Sequence, residues 1–113
     1  MAKRFEDGKA FVGRWVIASM SQFDLDYIHS EGEGYFEFQE SGYGDFQFDC
    51  VSGQMSCRTK TVARKLRVEW TWEGRDEMDD VSGWGWAVRK GEELHGEIIF
   101  HSGDETEFVA KRG

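Results

Sequence analysis

The sequence lacks proline altogether, and its 113 residues include only three leucines and six alanines. Leucine and alanine are among the residues that most favour helices, so their scarcity disfavours a helical protein. Without proline, the turns must depend on glycine, aspartate and serine. In place of the missing residues, the chain has nine phenylalanines, five tryptophans, three tyrosines and 14 glycines. Aromatic residues fit pleated sheets, so this composition predicts strands joined by turns.

Long apolar runs are also missing, and cysteine occurs only twice. No stretch approaches the ~18 apolar residues of a membrane span, and the opening MAKRFEDGKAF has no apolar run of secretory length. Two cysteines, Cys50 and Cys57, are too few for a disulfide framework or a zinc site, and the sequence leaves open whether they pair. We therefore predict a cytoplasmic protein of bacterial type, with neither a metal ion nor a cofactor.

Positive charge is missing from a large part of the chain. The net charge is −8, which disfavours binding to nucleic-acid phosphates and to anionic membranes, so we predict neither partner. Residues 15–57 contain eight acidic residues and no Lys or Arg, whereas residues 58–67 contain five basic residues and no acid. This separation has two open interpretations: cross-strand pairing within one chain, or a self-complementary surface that assembles copies of the chain.

Alternation of apolar and polar residues runs through most of the sequence, as is typical of strands with one buried face. The runs GYFEFQE and GDFQFDC flank Ser41-Gly42 and predict a hairpin. Further strands are predicted at about 55–62, in KLRVEWTW, GWGWAVRK and ELHGEIIF, and in TEFVAKR. We predict turn residues at 52–54 and a long polar connection over residues 73–83.

This pattern predicts an all-β fold, an antiparallel up-and-down meander of seven or eight strands that closes into a barrel. Residues 1–113 would form a single domain, with residues 1–10 as an N-terminal segment that could be flexible. A first strand is predicted over residues 11–20, in FVGRWVIASM, and one short helix is predicted after it, within SQFDLDYIHS, with Ser21 as its N-cap.

The predicted interior of the barrel is rich in large rings. Its predicted members are Phe36, Phe38, Phe46, Phe48, Leu66, Val68, Trp70, Trp72, Trp84, Trp86, Leu94, Ile98, Phe100 and Phe108. An eight-stranded barrel is either filled by its side chains or holds one small ligand, and both outcomes stay open. The predicted ligand-contacting residues are Phe36, Phe38, Phe46, Phe48, Trp70, Trp72, Trp84, Trp86 and Phe100.

Three features together resemble the calycin superfamily, which includes the lipocalins and fatty-acid-binding proteins: Gly13-x-Trp15 in the first strand, the meander, and Lys111-Arg112 in the last strand. The resemblance implies that Trp15 closes one end of the barrel. It also implies that Arg112, with Lys111 as the second choice, stacks on the Trp15 ring, a contact of about 0.5 to 2 kcal/mol.

The sequence is also similar to short bacterial proteins of unassigned function, some of them carried on mobile gene cassettes of the integron type. The shared features are Gly13-Arg14-Trp15, Met20, residues 24–27, Trp72-Glu73-Gly74, Asp76-Glu77, Gly85-Trp86-Ala87, Phe100-His101 and Gly103-Asp104. This likeness implies a fold and carries over no function.

No set of residues in the sequence indicates catalysis. The acidic run over residues 73–80 lacks the spacing of an EF-hand loop and is predicted to be a solvated turn. Our first functional hypothesis is a non-catalytic binding module for a small apolar or aromatic ligand. The alternative is a protein-interaction or assembly module, a homo-oligomer such as a dimer, with a filled aromatic core and an acidic surface. An enzyme is the third hypothesis.

Overall fold

Eight antiparallel strands form a closed barrel in the computed structural model, which describes residues 6–113 and, of residues 6 and 7, only the backbone. The strands are β1 (Gly13–Met20), β2 (Tyr35–Phe38), β3 (Tyr43–Phe48), β4 (Val51–Val62), β5 (Lys65–Asp76), β6 (Asp79–Lys90), β7 (Glu93–Phe100) and β8 (Glu105–Arg112). Each strand pairs with its neighbours in chain order, and β8 pairs with β1. The all-β meander and its closure are confirmed.

Within residues 6–113, two short helices accompany the barrel. A 3-10 helix, Glu6–Ala10, precedes β1 within the predicted N-terminal segment, of which residues 1–5 lie outside the described residues. Helix α1 (Leu25–Ile28) follows β1, as predicted. The prediction of Ser21 as its N-cap was wrong, because the N-cap is Asp24. The Ser21 hydroxyl accepts a hydrogen bond from the Glu107 amide at 2.9 Å, so it joins this segment to β8 instead.

The predicted turn at residues 52–54 is wrong, because these residues lie inside β4. Gly53 is needed there for space rather than for a turn. A β-carbon on Gly53 would lie 2.5 Å from the Phe46 ring, so the missing side chain lets that ring lie against β4.

The predicted long connection over residues 73–83 is also wrong. Strand β5 continues to Asp76 and β6 begins at Asp79, so only Glu77 and Met78 form the turn. Glu77 has a φ of 57°, the left-handed conformation of a tight turn. The residues look like a loop in the sequence because the outward face of these strands is polar.

The core is a continuous stack of aromatic rings along the barrel. The Phe36 and Phe108 ring centroids are 4.3 Å apart, and Phe36 also meets Phe46 at 5.5 Å and Trp70 at 5.8 Å. Trp72 meets both Phe46 and Phe100, at 5.1 and 5.2 Å. Because these rings contact one another across the barrel, they fill most of its width.

Strand β6 faces opposite to the prediction. Gly85 and Ala87 point inward and are buried, whereas Trp84 is 48% exposed and Trp86 is partly exposed on the outside. The reason is the Trp70 ring, which lies against Gly85: a β-carbon at Gly85 would be 2.5 to 2.7 Å from its atoms. The interior has no room for tryptophans from both β5 and β6, so β6 presents its small residues there.

The hairpin of β4 and β5 extends beyond the barrel wall. Pairing of β4 with β3 ends at Ser56, and pairing of β5 with β6 begins at Val68. Residues 57–67 therefore form a two-stranded ribbon, which we call the basic ribbon because it carries Arg58, Lys60, Arg64, Lys65 and Arg67. Leu66 lies on this ribbon and is 39% exposed, so its predicted inward placement was wrong.

Among residues 6–113, no helix has the length and apolar character needed to cross a membrane.

Replacing Gly85 with alanine is expected to destabilise the fold by about 1 to 3 kcal/mol, because the added methyl group would force the Trp70 ring to move. Urea unfolding measures this change. The control is Ser82→Ala on the exposed face of the same strand, which should stay within about 0.5 kcal/mol of the parent. Equal stabilities of the two variants would show that Trp70 does not need the space at Gly85.

Candidate functional site

One end of the barrel, which we call the closed end, is sealed around Trp15. Its ring is fully buried, and its Nε1 donates a hydrogen bond to the Phe11 carbonyl at 2.8 Å. The Arg112 guanidinium lies 4.1 Å from the ring centroid and donates to the Val12 carbonyl at 2.7 Å. This is the contact that the calycin resemblance implies for Arg112. Lys111 points outward and lies 4.0 Å from Glu93.

Arg89 adds a second cation to the closed end. Its guanidinium lies 5.6 Å from the Trp15 ring centroid and donates to the Ala10 carbonyl at 2.9 Å. The two arginines thus hold the chain segment that enters β1 across the barrel.

Seven of the nine predicted ligand-contacting residues lie inside the barrel. Phe36, Phe38, Phe46, Phe48, Trp70, Trp72 and Phe100 are all buried and belong to one core cluster. One polar atom in this cluster is unsatisfied: the buried Nε1 of Trp70 has no hydrogen-bond partner among the described residues. Burying an unpaired donor costs about 1 to 3 kcal/mol, so an acceptor atom of a ligand bound beside Trp70 would offset this cost.

Trp84 and Trp86 are the two predicted ligand-contacting residues that the structure places outside. Trp84 lies between Thr71 on β5 and Ile99 on β7, its register partners on the two sides. We call the outward residues Thr71, Trp84, Trp86 and Ile99 the tryptophan face. It borders a surface depression of about 550 Å³ that also contacts Arg58, Arg67 and Glu69. The sequence shows the alternation in β6 but not which of its two faces is buried.

Opposite charges flank the tryptophan face. On the β5 side lies the basic ribbon, where Lys60 is directly opposite Arg67, a like-charge pair that disfavours the ribbon by itself. Glu69 pairs with Arg67 at 2.7 Å, and this contact, with smaller effects of Lys60 and Arg58, lowers the Glu69 pKa. One carboxylate thus faces several cations, which leaves the ribbon positive.

The other flank is acidic. Glu97 on β7 is directly opposite Glu107 on β8, and Glu105 on β8 is opposite Ile99. Glu97 accepts a hydrogen bond from the Trp86 Nε1 at 3.1 Å, while the Arg67 guanidinium lies 5.0 Å from the Trp86 ring centroid. Trp86 is therefore held between the two flanks, and charge changes sign across it.

The opposite end of the barrel, which we call the open end, has a depression of about 350 Å³. Phe23, Val51, Val81 and Phe100 are its apolar lining, and Asp49, Asp76, Asp104 and Glu105 are its acidic lining. Phe23 packs on Phe48 at 5.3 Å between centroids, so the aromatic stack of the core reaches this surface.

Carboxylates crowd one another at the open end. The pKa of Asp76 is raised by partial burial and by the charges of Glu77, Asp49 and Asp79. Among the described residues, no three His, Cys, Asp or Glu side chains form a group that could hold a metal ion. The effect of these crowded carboxylates is therefore a negatively charged surface at the open end.

Both cysteines are free thiols in the structure. Burial raises the pKa of Cys57 to about 12, so this thiol stays protonated at neutral pH and is a poor nucleophile. Two of the histidines have partners elsewhere: His95 pairs with Glu93 at 2.9 Å, and His29 accepts a hydrogen bond from the Gly34 amide at 2.8 Å.

Comparisons with known proteins return no match, whether with family models, curated proteins or solved structures. The resemblance to calycin barrels and to cassette-borne bacterial proteins therefore stays a prediction from the sequence. Of the features that this resemblance implies, the structure shows the closed barrel.

Replacing Arg112 with alanine is expected to destabilise the chain by about 1 to 3 kcal/mol, because it removes both the contact with the Trp15 ring and the hydrogen bond to Val12. Lys111→Ala is the matched control on the adjacent outward position, with an expected loss below about 0.5 kcal/mol. Thermal unfolding of both variants measures the difference, and similar losses would contradict a sealing role for Arg112.

Replacing Asp76 with asparagine is expected to stabilise the chain at pH 7 by up to about 0.5 kcal/mol, the scale of exposed charge interactions. The raised pKa means that the folded chain holds this proton more tightly than the unfolded chain does. Ionised Asp76 therefore costs stability at neutral pH, and the cost vanishes in acid, where the carboxyl is protonated. Unfolding at pH 7 and pH 3 should show the gain only at pH 7; a gain of the same size at both values would exclude the charge as its cause.

Proposed function

We propose that the protein is an assembly module that forms a homodimer through the tryptophan face. The observation that carries this proposal is the outward position of Trp84, which is 48% exposed beside Trp86 and Ile99. Apolar residues that adjoin one another on a surface mark interaction sites, and aromatic residues are enriched at the centres of protein interfaces.

The charge pattern favours a second copy of this chain as the partner. A two-fold axis that lies in the interface, parallel to β6, would place the β5 flank of one copy against the β7 flank of the other. The basic ribbon, with Lys60 and Arg67, would then approach Glu97 and Glu107 of the second copy. Such an interface is isologous, so it closes at two subunits and does not continue into a fibre.

The same contact would relieve the like-charge pair within the ribbon. Lys60 and Arg67 repel each other in one chain, where Glu69 is their nearby carboxylate. In the dimer, carboxylates of the second copy would lie near them, so assembly would offset the repulsion that is present in the folded monomer. We propose this function for a cytoplasmic protein, the location that the sequence predicts.

A binding barrel for a small apolar or aromatic ligand is the second candidate function. The observation in its favour is the unsatisfied Trp70 Nε1 in the interior. The filled core disfavours this candidate, because a ligand would have to displace rings that contact one another, such as Phe36 and Phe108. Titration with an apolar probe, followed by tryptophan fluorescence, tests it: saturable quenching at micromolar probe supports this candidate, and its absence removes it.

Replacing Trp84 with serine is expected to shift the protein from dimer to monomer at micromolar concentration, because the change removes the central apolar contact. The matched control is Tyr43→Ser, which removes another exposed ring, 64% accessible, on β3 away from the tryptophan face. Sedimentation equilibrium measures both masses. A parent chain that is a monomer at every concentration would overturn the proposed function.

Charge reversal tests the orientation of the two copies. Lys60→Glu and Glu107→Lys are each expected to weaken the dimer about tenfold, or about 1.4 kcal/mol, because each puts like charges across the interface. The double variant should recover most of this loss, because it restores opposite charges. Losses that simply add in the double variant would contradict the pairing of these two flanks.

A further inference from the structure

The open end of the barrel is a second surface, separate from the tryptophan face. Its apolar depression of about 350 Å³ is lined by the two ring residues Phe23 and Phe100 and by Val51 and Val81. The β1–β2 connection with α1, the β5–β6 turn and the β7–β8 turn all lie at this end. Nothing in the assembly proposed above covers it.

Large apolar side chains are also exposed on the connections at this end of the barrel. Leu25 and Tyr27 of α1, which follow Phe23, are 52% and 61% exposed. Met78, in the turn between the lining residues Asp76 and Val81, is 89% exposed. Apolar side chains are therefore exposed at this end in addition to those that line the depression, and this favours a polypeptide over a small molecule as the partner.

Acidic residues predominate at the open end. Asp49, Asp76 and Asp104 line the depression, and Glu77 and Asp79 flank it in the β5–β6 turn. Among the described residues, the ion pair at this turn joins Arg75 to Asp80 at 3.7 Å, whereas Asp76 is surrounded by Glu77, Asp49 and Asp79. A partner with positive charges would replace this repulsion with attraction.

We propose that the open end docks a lysine- or arginine-containing polypeptide segment of a partner protein, with an apolar side chain of that segment seated between Phe23, Val51 and Phe100. The carboxylates around the depression bind the basic side chains that flank the apolar anchor. This interaction joins apolar burial with charge complementarity, so both parts of the segment are needed.

The test uses the full chain, labelled with ¹⁵N, and a short synthetic peptide that alternates lysine and leucine. Amide chemical shifts should change around Phe23, Val51, Val81 and Phe100, and added salt should weaken binding. A second peptide with serine in place of leucine, and a third with glutamate in place of lysine, should each bind at least about tenfold more weakly, a difference of about 1.4 kcal/mol. Equal binding of the serine peptide, or shifts spread over the whole acidic surface, would overturn the proposal.

Two double variants separate the open end from the overall charge of −8. Asp76→Asn with Asp104→Asn should weaken peptide binding about tenfold. Glu40→Gln with Glu93→Gln makes the same change in net charge near the closed end and should leave binding within about twofold of the parent. Equal weakening by the two variants would overturn the proposal in favour of general electrostatic attraction.

Decyltrimethylammonium serves as the small-molecule comparison, because it joins one positive charge to one apolar chain. Affinity equal to that of the lysine–leucine peptide would overturn a polypeptide partner in favour of a small organic cation. Weaker binding at the same amides supports the docking surface. Either result leaves the dimer proposal untouched, because the solution mass reports on that separately.

Discussion

The width of the barrel interior is the constraint on which the rest of the structure depends. Eight strands enclose a space only wide enough for side chains to fill, and this chain fills it with phenylalanine and tryptophan rings. Some of these rings require a small residue on the neighbouring strand: Phe46 requires Gly53, and Trp70 requires Gly85. The face that β6 turns inward follows from this requirement, and so does the exposure of Trp84.

The surface features are thus consequences of the core. With Trp84 and Trp86 excluded from the interior, the outside of β5–β7 gains an aromatic surface between a basic and an acidic flank. The two ends of the barrel differ for a related reason. Trp15, Arg112 and Arg89 seal one end with satisfied hydrogen bonds, whereas the aromatic stack at the other end reaches solvent among carboxylates. One filled barrel therefore presents three chemically distinct surfaces.

Sequence patterns predict the topology well because each strand pairs with its neighbour in the chain and alternation is a local signal. They place Phe36, Phe38, Phe46 and Phe48 inside correctly. They misplace Trp84 and Trp86 because a period of two does not say which face is buried, and that choice depends on Trp70 in the neighbouring strand. Gly83 and Gly85 alternate with the two tryptophans. These glycines were the signal in the sequence that could have shown which face of β6 is buried. The predicted turn at residues 52–54 and the predicted connection over residues 73–83 are wrong because glycine and polar residues also occur within curved, half-exposed strands.

The seam between β1 and β8 has a consequence for folding kinetics. Six of the eight strand pairings join neighbours in the chain through connections of two to four residues. The β1–β2 pairing is connected by residues 21–34, whereas the β1–β8 pairing joins the two ends of the sheet. Closing that seam carries the largest loop entropy, so we expect the hairpins to form rapidly and closure to come last. Trp15 lies directly opposite Arg112 in this seam. We therefore expect their contact to form in the final step of folding and to affect the rate at which the barrel opens more than the rate at which it forms.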